Sequence, residues 1–298
     1  MSMSTIAIIG FGEVGQVLAC DLTASRPELV IKVYDVKLFD RRSPCGKAAA
    51  KAEFVRCRSA AEATKGADLI ICAVTAAQTV AAAYSVLAGL KPGAWFMDLN
   101  SSSPEAKIAA AETIEGATGR YVEVAVMSPI EPKRLASPML LGGPHAEAFA
   151  PLIQALGFIG ASFYSDVSGK AAATKLCRSV MIKGLEALIS ESLLSARYYG
   201  VEDTVLESLN NLFPHPDWEG YARYMIARTL EHGVRRSEEM REAARTVAEA
   251  GLTPWMSDAA ADRQAWAPDY AAALKAHGLK PMLDAIRLQL NCRKDAAE

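Results

Sequence analysis

The feature that most constrains this chain is Gly10-Phe11-Gly12-Glu13-Val14-Gly15, which follows the apolar run Thr5-Ile6-Ala7-Ile8-Ile9 and precedes a segment carrying Val17, Leu18, Ala19 and Leu22. The order reads as strand, turn, helix. A second apolar run, Leu29-Val30-Ile31-Lys32-Val33-Tyr34, ends in Asp35, about 20 residues past the last glycine. Glycines that only served a tight turn would not require that second strand and its terminal acid. Together they suit a dinucleotide: Gly10 allows the turn, Gly12 lets backbone N–H groups approach a pyrophosphate, and Gly15 lets helix and strand pack closely. The helix N-terminus favours the negative charge. Phe11, Glu13 and Val14 belong to the same loop, and Asp35 is expected to hold the adenosine ribose. A carboxylate there accepts from a 2′-hydroxyl and repels a 2′-phosphate, so NAD is the expected cofactor. NADP remains open, because Arg41 and Arg42 follow closely and could clasp a phosphate.

Further along, short apolar runs alternate with alanine-rich helical stretches: Glu53 to Cys57, Asp68 to Val74, Ala94 to Asp98 and Tyr121 to Val126, with later strand candidates at Pro138 to Gly142 and Phe158 to Tyr164. Continuous hydrophobicity in the Asp68 and Ala94 runs indicates strands covered on both faces. From Val167 strand-like runs vanish, and Val167 to Tyr199 reads as one helix ending at Gly200. The expected fold class is therefore α/β. It has an N-terminal Rossmann, doubly wound parallel sheet over residues 1–166 and an all-helical C-terminal domain over 167–298, joined by that long helix.

A formal net charge of −2 with 22% charged residues, and no basic run, gives no footprint for nucleic acid or an anionic membrane. No apolar run reaches the ~18 residues of a membrane span, and no secretory leader pattern is visible, so a cytoplasmic protein is expected. The six cysteines (Cys20, Cys45, Cys57, Cys72, Cys177, Cys292) form no C-x-x-C pair and are expected mostly in the core. The four histidines (His145, His215, His232, His277) provide neither a metal box nor a Ser-His-Asp set, so no metal is expected.

Ligands of open α/β sheets bind beyond the carboxyl ends of the strands, which points to Val74-Thr75 and to the loops after Asp98 and Val126. In Asp98-Leu99-Asn100-Ser101-Ser102-Ser103-Pro104, Ser103 suits a helix cap and Pro104 the first helical position, leaving Asn100, Ser101 and Ser102 for ligands. Lys175, Ser179 and Lys183 recur at i, i+4 and i+8 on the long helix. On pattern alone this stripe is a solvated face. At the junction with a nucleotide domain, a lysine can instead lose solvent and act as an acid.

Taken in order, the glycine loop, Asp98 to Pro104, Glu123-Val124-Ala125-Val126-Met127-Ser128-Pro129 and Gly169-Lys170-Ala171-Ala172-Ala173-Thr174-Lys175 resemble the 3-hydroxyisobutyrate dehydrogenase family of β-hydroxyacid dehydrogenases, relatives of 6-phosphogluconate dehydrogenase. His232 to Met240 looks most like a phosphogluconate-dehydrogenase-like branch of it. The resemblance implies NAD(P)-linked hydride transfer to or from a small hydroxy acid or related hydroxyl or carbonyl compound. It makes Lys175 the catalytic proton donor or acceptor, with Asn100, Ser101, Ser102, Ser128 and Ser179 positioning substrate and Asn100 also meeting the cofactor. Ala171 stands where the family has a glycine, Ser179 where it has asparagine, and Met127-Ser128-Pro129 lacks its glycine pair. Glu238-Glu239-Met240 replaces its late lysine motif, for which Arg235 or Arg236 could compensate. These departures imply a different substrate. The alternatives are an imine reductase, with Glu131 and Glu239 as counter-charges, and a non-catalytic cofactor-binding regulator. A homodimer or larger homo-oligomer is expected.

Overall fold

The computed structural model describes residues 3–50, 54–211 and 214–295; Glu53 and the side chain of Cys292 lie outside the described residues. The chain divides into two compact units, Met1–Leu176 and Cys177–Glu298. The expected boundary after residue 166 falls ten residues earlier, ahead of the long helix.

The first unit is one eight-stranded sheet: β1 (Thr5–Ile9), β2 (Val30–Tyr34), β3 (Val55–Arg56), β4 (Leu69–Cys72), β5 (Trp95–Asp98), β6 (Arg120–Val126), β7 (Met139–Gly142) and β8 (Ala161–Ser165). Their order in space is β3-β2-β1-β4-β5-β6-β7-β8. All neighbours are parallel except β6 and β7, which run antiparallel. Helices α1 (Glu13–Ser25), α2 (Pro44–Ala49), α3 (Ala60–Thr64), α4 (Thr79–Ser85), α5 (Pro104–Gly116) and α6 (Ala146–Ala155) connect the strands. One face of the sheet buries Ile6, Ile8, Leu69, Met97 and Val122 under one apolar cluster, and the other buries Ala7, Ile70, Phe96 and Tyr121 under a second. Burial on both faces accounts for the continuous hydrophobicity of β4 and β5. β3 is shorter than the sequence suggests, because its two residues are exposed at the sheet edge.

Helix α7 (Lys170–Tyr199) begins in the first unit and continues into the second. There it is followed by α8 (Glu202–Leu209), α9 (Trp218–Glu249), α10 (Trp255–Trp266) and α11 (Leu279–Asp295). Among the described residues this unit contains helices and no strand. Leu193, Leu206, Ile226, Leu230, Met282 and Ile286 form its core.

Candidate active site

Strand order reverses between β1 and β4, and a cavity of about 670 Å³ opens beside the loops that follow them. Gly10, Gly12, Glu13, Asp35, Val74 and Thr75 are among its lining residues. Gly10 must be glycine: its φ is +91°, and a β-carbon would lie 2.3 Å from the Ala73 carbonyl oxygen. Gly15 lies under that turn, where a β-carbon would meet the Gly10 carbonyl at 2.1 Å. Phe11 is buried against Phe54, and Val14 packs on the core, so these two shape the loop without lining the cavity.

The residues present fit a dinucleotide. A β-carbon on Gly12 would meet nothing within 4 Å, and no side chain caps α1, whose N-cap is Gly12. The first-turn N–H groups are therefore left to an anion. Asp35 accepts from the Phe11 N–H at 2.8 Å through one oxygen and from the Lys37 N–H at 2.8 Å through the other. A carboxylate has about four lone-pair sites, so capacity remains for ribose hydroxyls. Gln16, Lys37, Ser43, Cys45, Gln78 and Ser85 also line the cavity, beyond the residues the sequence points to. Only Ser43-Pro44 carried a readable signal, that of a helix cap. Burial, followed by the charge of Asp35, pushes the Cys45 thiol up to about 12, which favours the neutral thiol.

The loop after β5 is built on a buried polar group. Asp98, fully buried, takes Lys107 Nζ at 2.9 Å, the Asn100 N–H at 2.9 Å and the Tyr121 hydroxyl at 2.7 Å. Ser103 caps α5 by accepting from the Ala106 N–H, with Pro104 at the first turn, as expected. Asn100 is buried and spends its side chain on the Val74 N–H and the Cys72 sulfur. It therefore ties the β4 loop to the β5 loop. Ser102 is also buried, and its hydroxyl has no hydrogen-bond partner among the described residues. Ser101 is half-buried, and Lys175 Nζ donates to its Oγ at 2.6 Å. The lysine and the serine, 74 residues apart, are thus brought together within the first unit.

The other predicted residues lie elsewhere. The Ser128 hydroxyl donates to the Pro129 carbonyl. In the second unit, Ser179 accepts from Lys183 Nζ at 3.4 Å, while Lys183 also pairs with Glu239. Arg235 bonds the other oxygen of Glu239 at 2.8 Å, and Arg236 is buried against Glu186 at 2.7 Å. Glu131 is paired with Arg134. Neither Glu131 nor Glu239 is thus a bare counter-charge. Among the described residues no cluster of His, Cys, Asp or Glu suits a metal ion, and no helix is long and apolar enough to cross a membrane.

Residues 5–173 match the model of the NAD binding domain of 6-phosphogluconate dehydrogenase, and residues 196–267 match a domain of unknown function. No curated protein sequence matches the chain. A conserved hypothetical protein from Sinorhizobium meliloti 1021 is 36% identical, with 96% of each chain covered and a TM-score of 0.75. A conserved protein of unknown function, described as structurally similar to 3-hydroxyacid dehydrogenases, is 26% identical over 89% of this chain and 98% of its own, with a TM-score of 0.65. Mycobacterium tuberculosis 3-hydroxyisobutyrate dehydrogenase, solved with L-serine, shares the fold at 18% identity, covering 96% of this chain and 100% of its own, with a TM-score of 0.71. On the match over residues 5–173 and the 36% identity over nearly the whole chain, the protein belongs to the 6-phosphogluconate dehydrogenase-like family of β-hydroxyacid dehydrogenases.

Proposed function

We propose that this protein is an NAD(P)-dependent dehydrogenase or reductase acting on a small hydroxy acid or a related hydroxyl or carbonyl compound, with Lys175 as the proton donor and acceptor. The observation that carries the reading is the 2.6 Å contact from Lys175 Nζ to Ser101 Oγ, at the carboxyl end of β5. Gly10, Gly12, Glu13, Asp35, Val74 and Thr75 would hold the cofactor. When bound, the nicotinamide supplies the two-electron chemistry at the substrate carbon. In the reducing direction Lys175 gives a proton from Nζ to the developing alkoxide; in the oxidising direction the neutral amine removes it from the hydroxyl. Ser101 fixes Nζ and can bond the same substrate oxygen. Asp35 favours NAD over NADP at the ribose.

The test follows nicotinamide absorbance with NAD and NADP against 3-hydroxy acids, aldonates and aryl β-hydroxyketones, beside Lys175→Ala. Loss of Lys175 should lower kcat by roughly 10²- to 10⁴-fold, the range for general acid–base groups. Turnover that survives the substitution removes Lys175 from the chemistry. Cofactor binding with no turnover across the panel would favour instead an imine substrate or a non-catalytic cofactor-binding regulator.

The same reading includes a homodimer. Met181, Leu185 and Leu188 are exposed at helical spacing along α7, beside Met256 of α10, in a cavity of about 360 Å³. Monomers seldom leave such a stripe wet. A monomer mass in sedimentation equilibrium would remove this part.

A further inference from the structure

Glu123 opens the Glu123–Pro129 motif on β6, away from the cofactor cavity. It is 0% exposed, and its register partner on β5 is Asp98, also 0% exposed. Two carboxylates thus lie side by side in the sheet near the cation Lys107, which bonds both the carboxylate and the carbonyl of Asp98. A buried acid without partners would be strongly destabilising. Glu123 finds its partners at the start of α7: Oε2 accepts from the Gly169 N–H at 2.8 Å, and Oε1 from the Ala171 N–H at 2.7 Å. Each oxygen faces a donor, an arrangement that suits the anion, and the N-terminus of a 30-residue helix favours negative charge. Burial pushes the carboxyl up, while Lys107 and the two N–H groups work against it.

The neighbouring strand is shaped around this acid. Gly142 of β7 is its partner on the other side, and a β-carbon there would lie 2.3 Å from Glu123 Oε1. The carboxylate therefore lies over a glycine, with no room for a methyl group. From Ala171 to Lys175 is four residues, about 6 Å along the helix. Ser101 follows Asp98 by three residues. Both members of the Lys175–Ser101 pair thus hang from adjacent positions of the sheet, one from Glu123 and one from Asp98.

We propose that Glu123 is a positioning residue, whose carboxylate seats the first turn of α7 over Gly142 so that Lys175 Nζ meets Ser101. The catalytic consequence rests on the function proposed above; the clamp itself does not. Loss of the clamp releases the turn, and Lys175 leaves Ser101 for solvent.

Two variants separate these statements. Glu123→Gln keeps the shape but sets an amide N–H₂ against one N–H donor. Gly142→Ala leaves Glu123 in the chain and displaces its carboxylate, and it decides the matter if Glu123→Gln does not fold. The amine reactivity of Lys175 is measured by competitive labelling with trinitrobenzenesulfonate and peptide mapping, relative to the exposed Lys65, on full-length protein without added cofactor. Both variants should raise the Lys175 to Lys65 ratio several-fold, lower kcat roughly ten- to a hundredfold as expected for a misplaced acid, and leave the dissociation constant for NAD within about twofold. A purely structural role would lower the melting temperature and leave the labelling ratio unchanged. An unchanged ratio in the folded variants overturns the proposal. A raised ratio beside a wild type that turns over nothing upholds the clamp and removes the proposed activity.

Discussion

Each unit buries a charge cluster, and the two are built in opposite ways. In the sheet unit, two acids, Asp98 and Glu123, share one cation, Lys107, and the deficit is made up by the Tyr121 hydroxyl and by the N–H groups of Asn100, Gly169 and Ala171. In the helical unit, two acids, Glu186 and Glu239, face four cations, Lys183, Arg228, Arg235 and Arg236. There Arg236 Nε and Gln264 Oε1 are buried with no hydrogen-bond partner among the described residues. The difference follows from the backbone. Strand ends, loops and helix starts leave N–H groups free to hold a carboxylate, whereas inside helices those groups are already spent on the helix itself. Helix-borne acids must be met by long side chains, whose geometry is harder to complete. The sheet cluster is thus the tighter scaffold, and it lies beneath Lys175 and Ser101.

If so, the largest effect should come from the single cation of the sheet cluster. Lys107→Met removes the cation that pairs with buried Asp98 and offsets the charge of Glu123, and should cost about 3–5 kcal/mol in urea unfolding. Arg236→Met should cost less, about 1–3 kcal/mol, because Glu186 keeps Arg228 at 3.6 Å and the Gln264 amide at 3.3 Å. Equal losses would erase the distinction between the two clusters.

Next in size is Tyr121→Phe. It removes the donor to one oxygen of Asp98 and leaves the other bonds in place, so about 1–3 kcal/mol should be lost. A neutral result would mean that water replaces the hydroxyl and that the cluster is not sealed.

The helical cluster should also show itself in pH dependence. Burial pushes the Glu186 carboxyl up from its ordinary value, against the pull of Arg236 and Arg228. A group that binds its proton more tightly when folded stabilises the protein least once both states are ionised. Its contribution therefore falls as pH rises from the ordinary glutamate value of about 4.3 through the raised folded one. Glu186→Gln removes that slope, so the variant should gain on the wild type between pH 5 and 8. A gap that stays constant across unfolding curves in that range would show Glu186 with an ordinary titration.

What the sequence disclosed depended on whether the partners were near one another along the chain. The turn at Gly10, the close packing at Gly15, the acid ending β2 and the cap at Ser103-Pro104 are local devices, each visible within a few residues of its effect. Lys175 was singled out by helical spacing and by resemblance, yet its meeting with Ser101 spans 74 residues. Nothing in Val122-Glu123-Val124 announces that the glutamate will bond Gly169 and Ala171, 46 and 48 residues on. Asn100 and Ser102 stand in a polar loop that reads as ligand-facing, and their burial by packing is not encoded locally. Gln16, Lys37 and Gln78 line the cavity because of where their helix or loop passes, which no local pattern encodes.

The smallest effect concerns two residues that are adjacent in sequence. Arg235 and Arg236 are equal candidates on paper for replacing the family's late lysine, but α9 turns Arg236 into the helical core and leaves Arg235 half-exposed beside Glu239. Arg235 forms an i,i+4 pair, and Glu239 keeps Lys183 when it is lost. Arg235→Ala should therefore cost only about 0.3–0.5 kcal/mol, and less at high salt. A loss as large as that of Arg236→Met would mean that Glu239 needs both cations and that the helical cluster reaches its surface as one cooperative unit. A negligible loss places the boundary of that cluster at Glu239, with Arg235 outside it.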